Sequence, residues 1–179
     1  MREYFMKSDR LCFSRWSRGD EALAKLLWGD PQVTRFICAS GLFSEEEIRN
    51  RLETEIAGER RFGVQYWPVF YGETGELAGC CGLRPYGNRT SEDGEKAYEL
   101  GFHFRPPFWG RGLAEEAAGK VIEYGFEVMD AAYLAAGHHP LNLYSERLLS
   151  RLGFRCVGTE FYGPTGLMHP SYRLERGSE

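Results

Sequence analysis

The sequence predicts an α+β fold: one domain built on a mixed, mostly antiparallel sheet of six to seven strands. Three observations carry that expectation. Period-two runs joined by a hairpin turn occupy much of the first half, strand and helix patterns alternate from residue 96 onward, and 179 residues suffice for one core but not two.

The elements follow in order. Residues 10–16 set Leu11 and Phe13 against Cys12 and Ser14, a short strand, after which Ala22, Leu23, Leu26 and Leu27 recur at helical spacing. Asp30-Pro31 supplies an N-cap and an N1 proline for a brief helical turn. Ser44 followed by Glu45, Glu46 and Glu47 makes a capping box with acids at the positive helix end, and Ile48, Leu52 and Ile56 extend that helix over 44–57. Residues 62–71 and 76–83 read as strands joined by Gly72-Glu73-Thr74-Gly75, with Pro68 marking an edge or a bulge. A polar loop over 86–94 leads to a strand at 96–104, where Tyr98, Leu100, Phe102 and Phe104 alternate with Glu99, Gly101 and His103. Residues 113–128 form a helix whose Glu116, Lys120, Glu123 and Glu127 make a narrow polar stripe. A strand at 132–137 precedes a helix at 142–152 closed by Gly153, with Phe154 for the accompanying apolar contact. Strands at 155–161 and 172–174, separated by a loop, finish the sheet, and residues from about 176 onward form a disordered tail.

Composition excludes several function classes. A formal net charge of −4 is the wrong sign for a surface that binds nucleic acid by neutralising phosphates. Neither a signal peptide nor a membrane span is expected, since no apolar run is long enough. Cys12, Cys38, Cys80, Cys81 and Cys156 form an odd set without a CxxC pair, the usage of a reducing cytoplasm, and adjacent Cys80 and Cys81 point to opposite sheet faces. His138-His139 lacks further ligands at metal spacing, so no metal is expected.

The chemistry concentrates where the strand ending at Phe104 passes through Pro106-Pro107-Phe108-Trp109-Gly110-Arg111-Gly112 into the helix at Leu113 and Ala114. The first turn of a helix carries free N–H groups and the positive end of the macrodipole, and the two glycines let an anion approach closely. A phosphate-bearing ligand suits that turn, although many helices start after glycine for conformational reasons alone. A P-loop is excluded because Leu113 and Ala114 follow Gly112 where Lys and Ser or Thr are required. A dinucleotide fingerprint lacks its third glycine.

This run resembles the acetyl-CoA loop of the GNAT superfamily, written [RQ]-x-x-G-x-[GA], with Gly112 and Ala114 on its last two defined positions. Trp109 replaces the usual Arg or Gln, which resembles the aromatic-Trp-Gly-Lys-Gly form of the RimJ/RimL-type branch. Asp9-Arg10-Leu11, Tyr98-Glu99-Leu100-Gly101 and Asn142-x-x-Ser145 ahead of Leu152-Gly153-Phe154 extend the likeness along the chain.

The resemblance implies a single GNAT domain over 1–179 with helices on both sheet faces, and an N-acetyltransferase moving acetyl from acetyl-CoA to a primary amine in a ternary complex. The main chain of Phe102, His103 and Phe104 would bind the pantetheine arm, and the amides of Trp109, Gly110, Arg111, Gly112, Leu113 and Ala114 the pyrophosphate. Asn142 would contact the pantetheine, and Ser145 would protonate the leaving thiolate, since Leu149 holds the place of the tyrosine many relatives use. Glu99 is the candidate base, with a cross-strand ion pair as its structural alternative. The oxyanion would meet an amide at a bulge in the same strand. A protein N-terminal amine, for instance of a ribosomal protein, is the expected acceptor; a small-molecule amine or a silent acetyl-CoA-binding domain are the alternatives, and the chain is monomer or homodimer.

Overall fold

Eight strands among the described residues form one sheet in the order β1-β2-β3-β4-β5-β6-β8-β7. The structure, a computed structural model, describes residues 2–87 and 96–177. The strands are β1 (Met6–Lys7), β2 (Leu11–Phe13), β3 (Tyr66–Tyr71), β4 (Leu77–Pro85), β5 (Ala97–Phe104), β6 (Tyr133–Gly137), β7 (Arg155–Tyr162) and β8 (Leu167–Glu175). The helices are α1 (Glu21–Trp28), α2 (Pro31–Thr34), α3 (Glu45–Phe62), α4 (Leu113–Glu127) and α5 (Leu143–Arg151). Neighbouring strands are antiparallel except β5 and β6. The α+β architecture matches expectation with eight strands in place of six to seven. The unforeseen one is β1, two residues that no periodicity can reveal.

Alternation along the strands sorts side chains into two cores. Tyr98, Leu100 and Phe104 pack with Cys81, Ala117, Val121 and Leu148 on the face covered by α4 and α5. Tyr66, Leu77 and Cys80 pack with Trp28, Leu52 and Ile56 on the face covered by α1 to α3. Helices thus cover both faces, and Cys80 and Cys81 separate as period two requires. Burial pushes both thiols up, Cys80 to about 12, which leaves them inert packing groups.

Local chemistry sets the helix ends. The Ser44 amide donates to Glu47 at 2.7 Å and the Glu47 amide to Ser44 Oγ at 3.2 Å, closing the capping box on α3. That helix runs to Phe62, five residues past the expected end, and closes on left-handed Gly63; exposed Arg60 and Arg61 carry its last turn and hide the period. Asp30 caps α2, and left-handed Gly153 closes α5 with Phe154 buried beside it.

Three further differences have simple causes. Pro68 lies inside the sheet rather than at its edge, and the register of β3 on β4 shifts one residue later, between Val69 and Phe70. The expected loop at 161–170 is instead the tip of a long β7–β8 hairpin in which Tyr162 pairs with Leu167. Its outward residues are exposed and lack the half-buried alternation that marks a strand. Of the expected 86–94 loop, residues 88–94 lie outside the described residues, as do 178–179 of the expected tail. Arg176 donates to the Phe126 and Ala131 carbonyls at 2.7 and 3.2 Å.

Candidate active site

Two parallel strands that part company open the site. β5 and β6 pair at Ala97↔Tyr133, Tyr98↔Leu134 and Glu99↔Ala135, after which β5 follows β4 to Phe104 and β6 follows β8. The Arg105 amide donates to the Ala78 carbonyl, which fixes the alternation. Glu99, Gly101 and His103 turn their main-chain groups toward β4, and Leu100, Phe102 and Phe104 turn theirs into the gap. An extended arm could add to β5 there as a further strand would. One group is taken: the Phe104 carbonyl accepts from Trp109 Nε1 at 2.6 Å.

A cavity of about 500 Å³ occupies the gap. It brings together Glu99, Phe102, His103, Phe104, Trp109, Gly110, Ala114, Asn142 and Ser145. Arg111, Gly112 and Leu113 do not line it; they form the loop at its edge. A short 3₁₀ turn over Pro106–Phe108 precedes that loop, and the Trp109 amide closes it by donating to the Pro106 carbonyl at 3.1 Å. The expectation that this amide faces an anion is thereby corrected. The amides of residues 110–114 have no acceptor among the described residues, and α4 has no side-chain N-cap. Gly110 and Gly112 sit at φ of 69° and 72°, a region open to glycine at no cost. This turn fits a diphosphate, with the dipole of a fifteen-residue helix behind it. The Arg111 guanidinium lies over the Tyr71 ring at 4.5 Å, on the same loop.

A clamp that the sequence did not announce holds this loop from behind. Glu116, in the first turn of α4, accepts from Ser8 Oγ, the Arg10 amide and Arg10 Nε at 2.7, 2.8 and 2.7 Å. Arg10 Nη1 donates to the Arg111 carbonyl at 3.0 Å. Burial pushes the Glu116 carboxyl up, but these donors outweigh it and hold the group below its ordinary value. The clamp is therefore intact at neutral pH and is lost only as pH falls through that lowered value. Arg10→Ala should weaken binding of a diphosphate-bearing ligand at this turn by about tenfold in calorimetry, the scale of losing hydrogen bonds to a charged group.

Glu99 stands opposite Arg84 in the β4–β5 register, where the cross-strand ion pair would form. It does not form. Arg84 pairs instead with Glu55, which is 1% exposed along its side chain and also accepts the Tyr66 amide at 2.8 Å. Glu99 is left without a hydrogen bond among the described residues, facing the cavity. Burial raises its carboxyl above the ordinary value, Arg84 opposes the shift and Glu160 adds to it. Glu160 lines the same cavity but is occupied by the Tyr86 and Ser171 hydroxyls, so Glu99 has the freer lone pairs. The expected bulge in β5 is absent, since its register on β4 is unbroken from Tyr98 to Phe104. No bulge there re-aims an amide at an oxyanion.

His103 shares the Glu99 face. Its Nδ1 accepts from Trp28 Nε1 at 3.3 Å, which leaves the ring proton on Nε2. Burial, helped by Arg51 and Arg84, holds it well below its usual range and therefore neutral. Tyr66 lies edge-on to His103 at 5.9 Å, with the Arg84 guanidinium 4.1 Å above its ring. On the opposite wall Asn142 caps α5, its Oδ1 accepting from the Ser145 amide at 3.2 Å, so its NH₂ remains available. Ser145 is buried with no partner for Oγ among the described residues, and Leu149 is sealed in the core. Both ring nitrogens of His138 are engaged, with the His139 carbonyl at 2.8 Å and the Tyr172 hydroxyl at 3.1 Å. Among the described residues no group of three metal-ligating side chains occurs, and no helix is long and apolar enough to cross a membrane.

Sequence reasoning missed Arg51, Tyr66, Arg84 and Glu160, all of which line the cavity. Only Tyr66 carried a signal, through the glycines it faces.

Known proteins resemble this arrangement. Residues 10–155 match the family model of the acetyltransferase (GNAT) domain. The uncharacterized N-acetyltransferase YnaD of Bacillus subtilis (strain 168) is 38% identical over 129 residues, covering 72% of this chain and 69% of that protein. An acetyltransferase (GNAT family) from Bacillus anthracis superposes with a TM-score of 0.77 at 24% identity, over 95% of this chain and 97% of that one. RimL, a ribosomal L7/L12 alpha-N-protein acetyltransferase in complex with coenzyme A, superposes with a TM-score of 0.77 at 16% identity, over 97% and 98%. At those identities the two solved structures speak for the fold.

Proposed function

The chain belongs to the GNAT acetyltransferase family and is an acetyl-CoA-dependent N-acetyltransferase, and from that premise we propose that it acetylates an α-amino group, with Glu99 as base and Ser145 as acid. The observation that carries the reading is the bare, half-buried Glu99 carboxylate facing the cavity where β5 leaves β6. Acetyl-CoA supplies an activated acetyl thioester. The chain's own groups do the rest: Phe102 offers main-chain groups to the pantetheine arm, Asn142 offers its NH₂, and the amides of residues 110–114 receive the diphosphate.

Glu99 takes a proton from the incoming ammonium, so that the neutral nitrogen forms the C–N bond as the C–S bond breaks. Ser145 Oγ–H is free to protonate the departing sulfur while recovering the second proton that the nitrogen sheds as the amide forms, so that amide, thiol and unchanged serine result. An α-amino group loses its proton about 2.5 pH units more readily than a lysine amine, so it asks less of a carboxylate base. The likeness to RimL, a ribosomal L7/L12 alpha-N-protein acetyltransferase, supports an N-terminal peptide acceptor, including that of a ribosomal protein. The test is thiol release from acetyl-CoA with N-terminal peptides, their lysine side-chain counterparts and polyamines, each product checked by mass. Release with α-amines at a kcat/KM at least tenfold above the other amines is expected. Turnover confined to polyamines would replace this acceptor, and no release with any amine would remove the mechanism.

A further inference from the structure

The α1–α3 side of the cavity carries two guanidiniums with which no carboxylate among the described residues forms an ion pair. Arg51 projects from α3 and lines the cavity, its guanidinium over the Trp28 ring at 5.0 Å and the Phe43 ring at 5.6 Å. Its Nε is buried without a hydrogen-bond partner, and no carboxylate among the described residues pairs with it. The neighbouring guanidiniums differ: Arg84 has Glu55, and Arg105 donates to the Leu77 carbonyl at 2.7 Å. Arg35, stacked on Phe36 at 4.6 Å, lines the same cavity and likewise pairs with no carboxylate among the described residues.

A guanidinium cannot shed its proton to escape burial, and aromatic faces satisfy its plane but not its N–H edge. An edge left open toward a cavity is matched by a planar anion, which it binds through two parallel hydrogen bonds. The anion is not the cofactor's diphosphate. Arg51 lies on the Trp28 face of the sheet with Glu99 and His103, whereas the anion-binding turn starts α4 on the other face. The field of Arg51 reaches His103, Tyr66 and Tyr162, all of which line the cavity. Two carboxylates, Glu99 and Glu160, and two guanidiniums without an ion-pair partner among the described residues thus share one chamber.

We propose that the acceptor is an amino-carboxylate, whose ammonium meets Glu99 while its carboxylate is bound by Arg51 with Arg35 beside it. This rests on the amine-acceptor reading above. The carboxylate can belong to a free amino acid or to an acidic residue next to the N-terminus of a peptide. A polyamine, all of whose charges are positive, would meet repulsion at the same place.

The test is thiol release by the full chain from acetyl-CoA, with acceptors that differ in one group. Peptides with Asp, Asn or Lys at the second position form one arm; free amino acids and their carboxamides form the other. The carboxylate member should exceed its amide counterpart by about tenfold to a hundredfold in kcat/KM, the scale of a charge-assisted pair. Whichever arm shows the ratio identifies the source of the carboxylate. In Arg51→Gln the ratio should collapse toward one. In Arg51→Glu it should invert in favour of the Lys peptide, a gain that a damaged fold cannot produce. Equal turnover of carboxylate and carboxamide, or a ratio that survives Arg51→Gln, overturns the inference while leaving the N-acetyltransferase intact. Silence with every acceptor overturns the reading beneath it as well.

Discussion

Glu99→Gln is expected to lower kcat by about 10²- to 10⁴-fold, the range for loss of a positioned general base, and at the same time to raise the melting temperature at neutral pH. The two effects share one cause. Glu99 is half-buried with no donor among the described residues, and its burial raises the carboxyl above its unfolded value. A carboxyl with a raised folded pKa favours folding most when protonated, and that contribution is lost as pH rises through the folded pKa. At pH above that raised value the native state carries a charge that no hydrogen bond satisfies and that Arg84 offsets only in part, and the isosteric amide removes it. The gain in melting temperature should vanish in acid, where wild-type Glu99 is itself protonated. Activity runs the other way. Wild-type kcat/KM should fall as pH drops through the raised Glu99 value, and that limb should disappear in the variant. An ion-paired Glu99 would behave oppositely on both counts: Gln would destabilise the fold at neutral pH and leave the pH profile in place. Circular-dichroism melts and a pH–rate profile on the same two proteins separate the cases.

What the sequence disclosed and what it withheld follow from the range of the interactions. Signals contained within a few residues were readable: the Ser44–Glu47 box, Asp30 ahead of Pro31, Gly153 with Phe154, and the glycines that free the amides of residues 110–114. Alternation in β5 placed Glu99 and His103 on one face and Phe104 on the other, because one strand's period needs no knowledge of its neighbours. Side-chain partnership across elements was not readable. Whether Arg84 turns to Glu99 or to Glu55 depends on α3 lying over β4, and the sequence separation of 29 residues between Arg84 and Glu55 carries no trace of it. The clamp of Arg10 on Glu116 spans 106 residues and appears in sequence only as a polar stripe. Arg51 is the extreme case, since its significance lies in a partner it does not have. The Trp109 amide was misread for a local reason: two consecutive prolines start a 3₁₀ turn, which consumes that donor before the anion-binding turn begins.

Gly101→Ala is the second substitution with a large expected effect, and its cause lies in a row across three strands. Tyr66 on β3 pairs with Gly82 on β4, which pairs with Gly101 on β5. With no side chain on either glycine, the Tyr66 ring lies along the row and ends over Gly101. A Cβ there would stand 2.1 Å from Tyr66 Cζ and 2.3 Å from its hydroxyl oxygen. The ring cannot move aside cheaply, because Arg84 covers one face at 4.1 Å and His103 meets it edge-on. Overpacking of this kind costs about 1–3 kcal/mol, or roughly 2–12 °C in melting temperature for a chain of this size. The Tyr66 ring lines the cavity, so displacing it should lower kcat/KM together with stability. Gly101 has no positive φ, so the backbone itself accepts alanine. Removing the ring should therefore reverse the sign. In a Tyr66→Ala background the same Gly101→Ala change should stabilise the protein by about 0.4–1 kcal/mol, through the lower entropy of the unfolded chain. The coupling between the two sites, read from a four-protein denaturation cycle, should exceed about 1 kcal/mol. A coupling near zero would mean that the glycine is there for the backbone and not for the tyrosine. The row of glycines would then have no part in shaping the floor of the acceptor chamber.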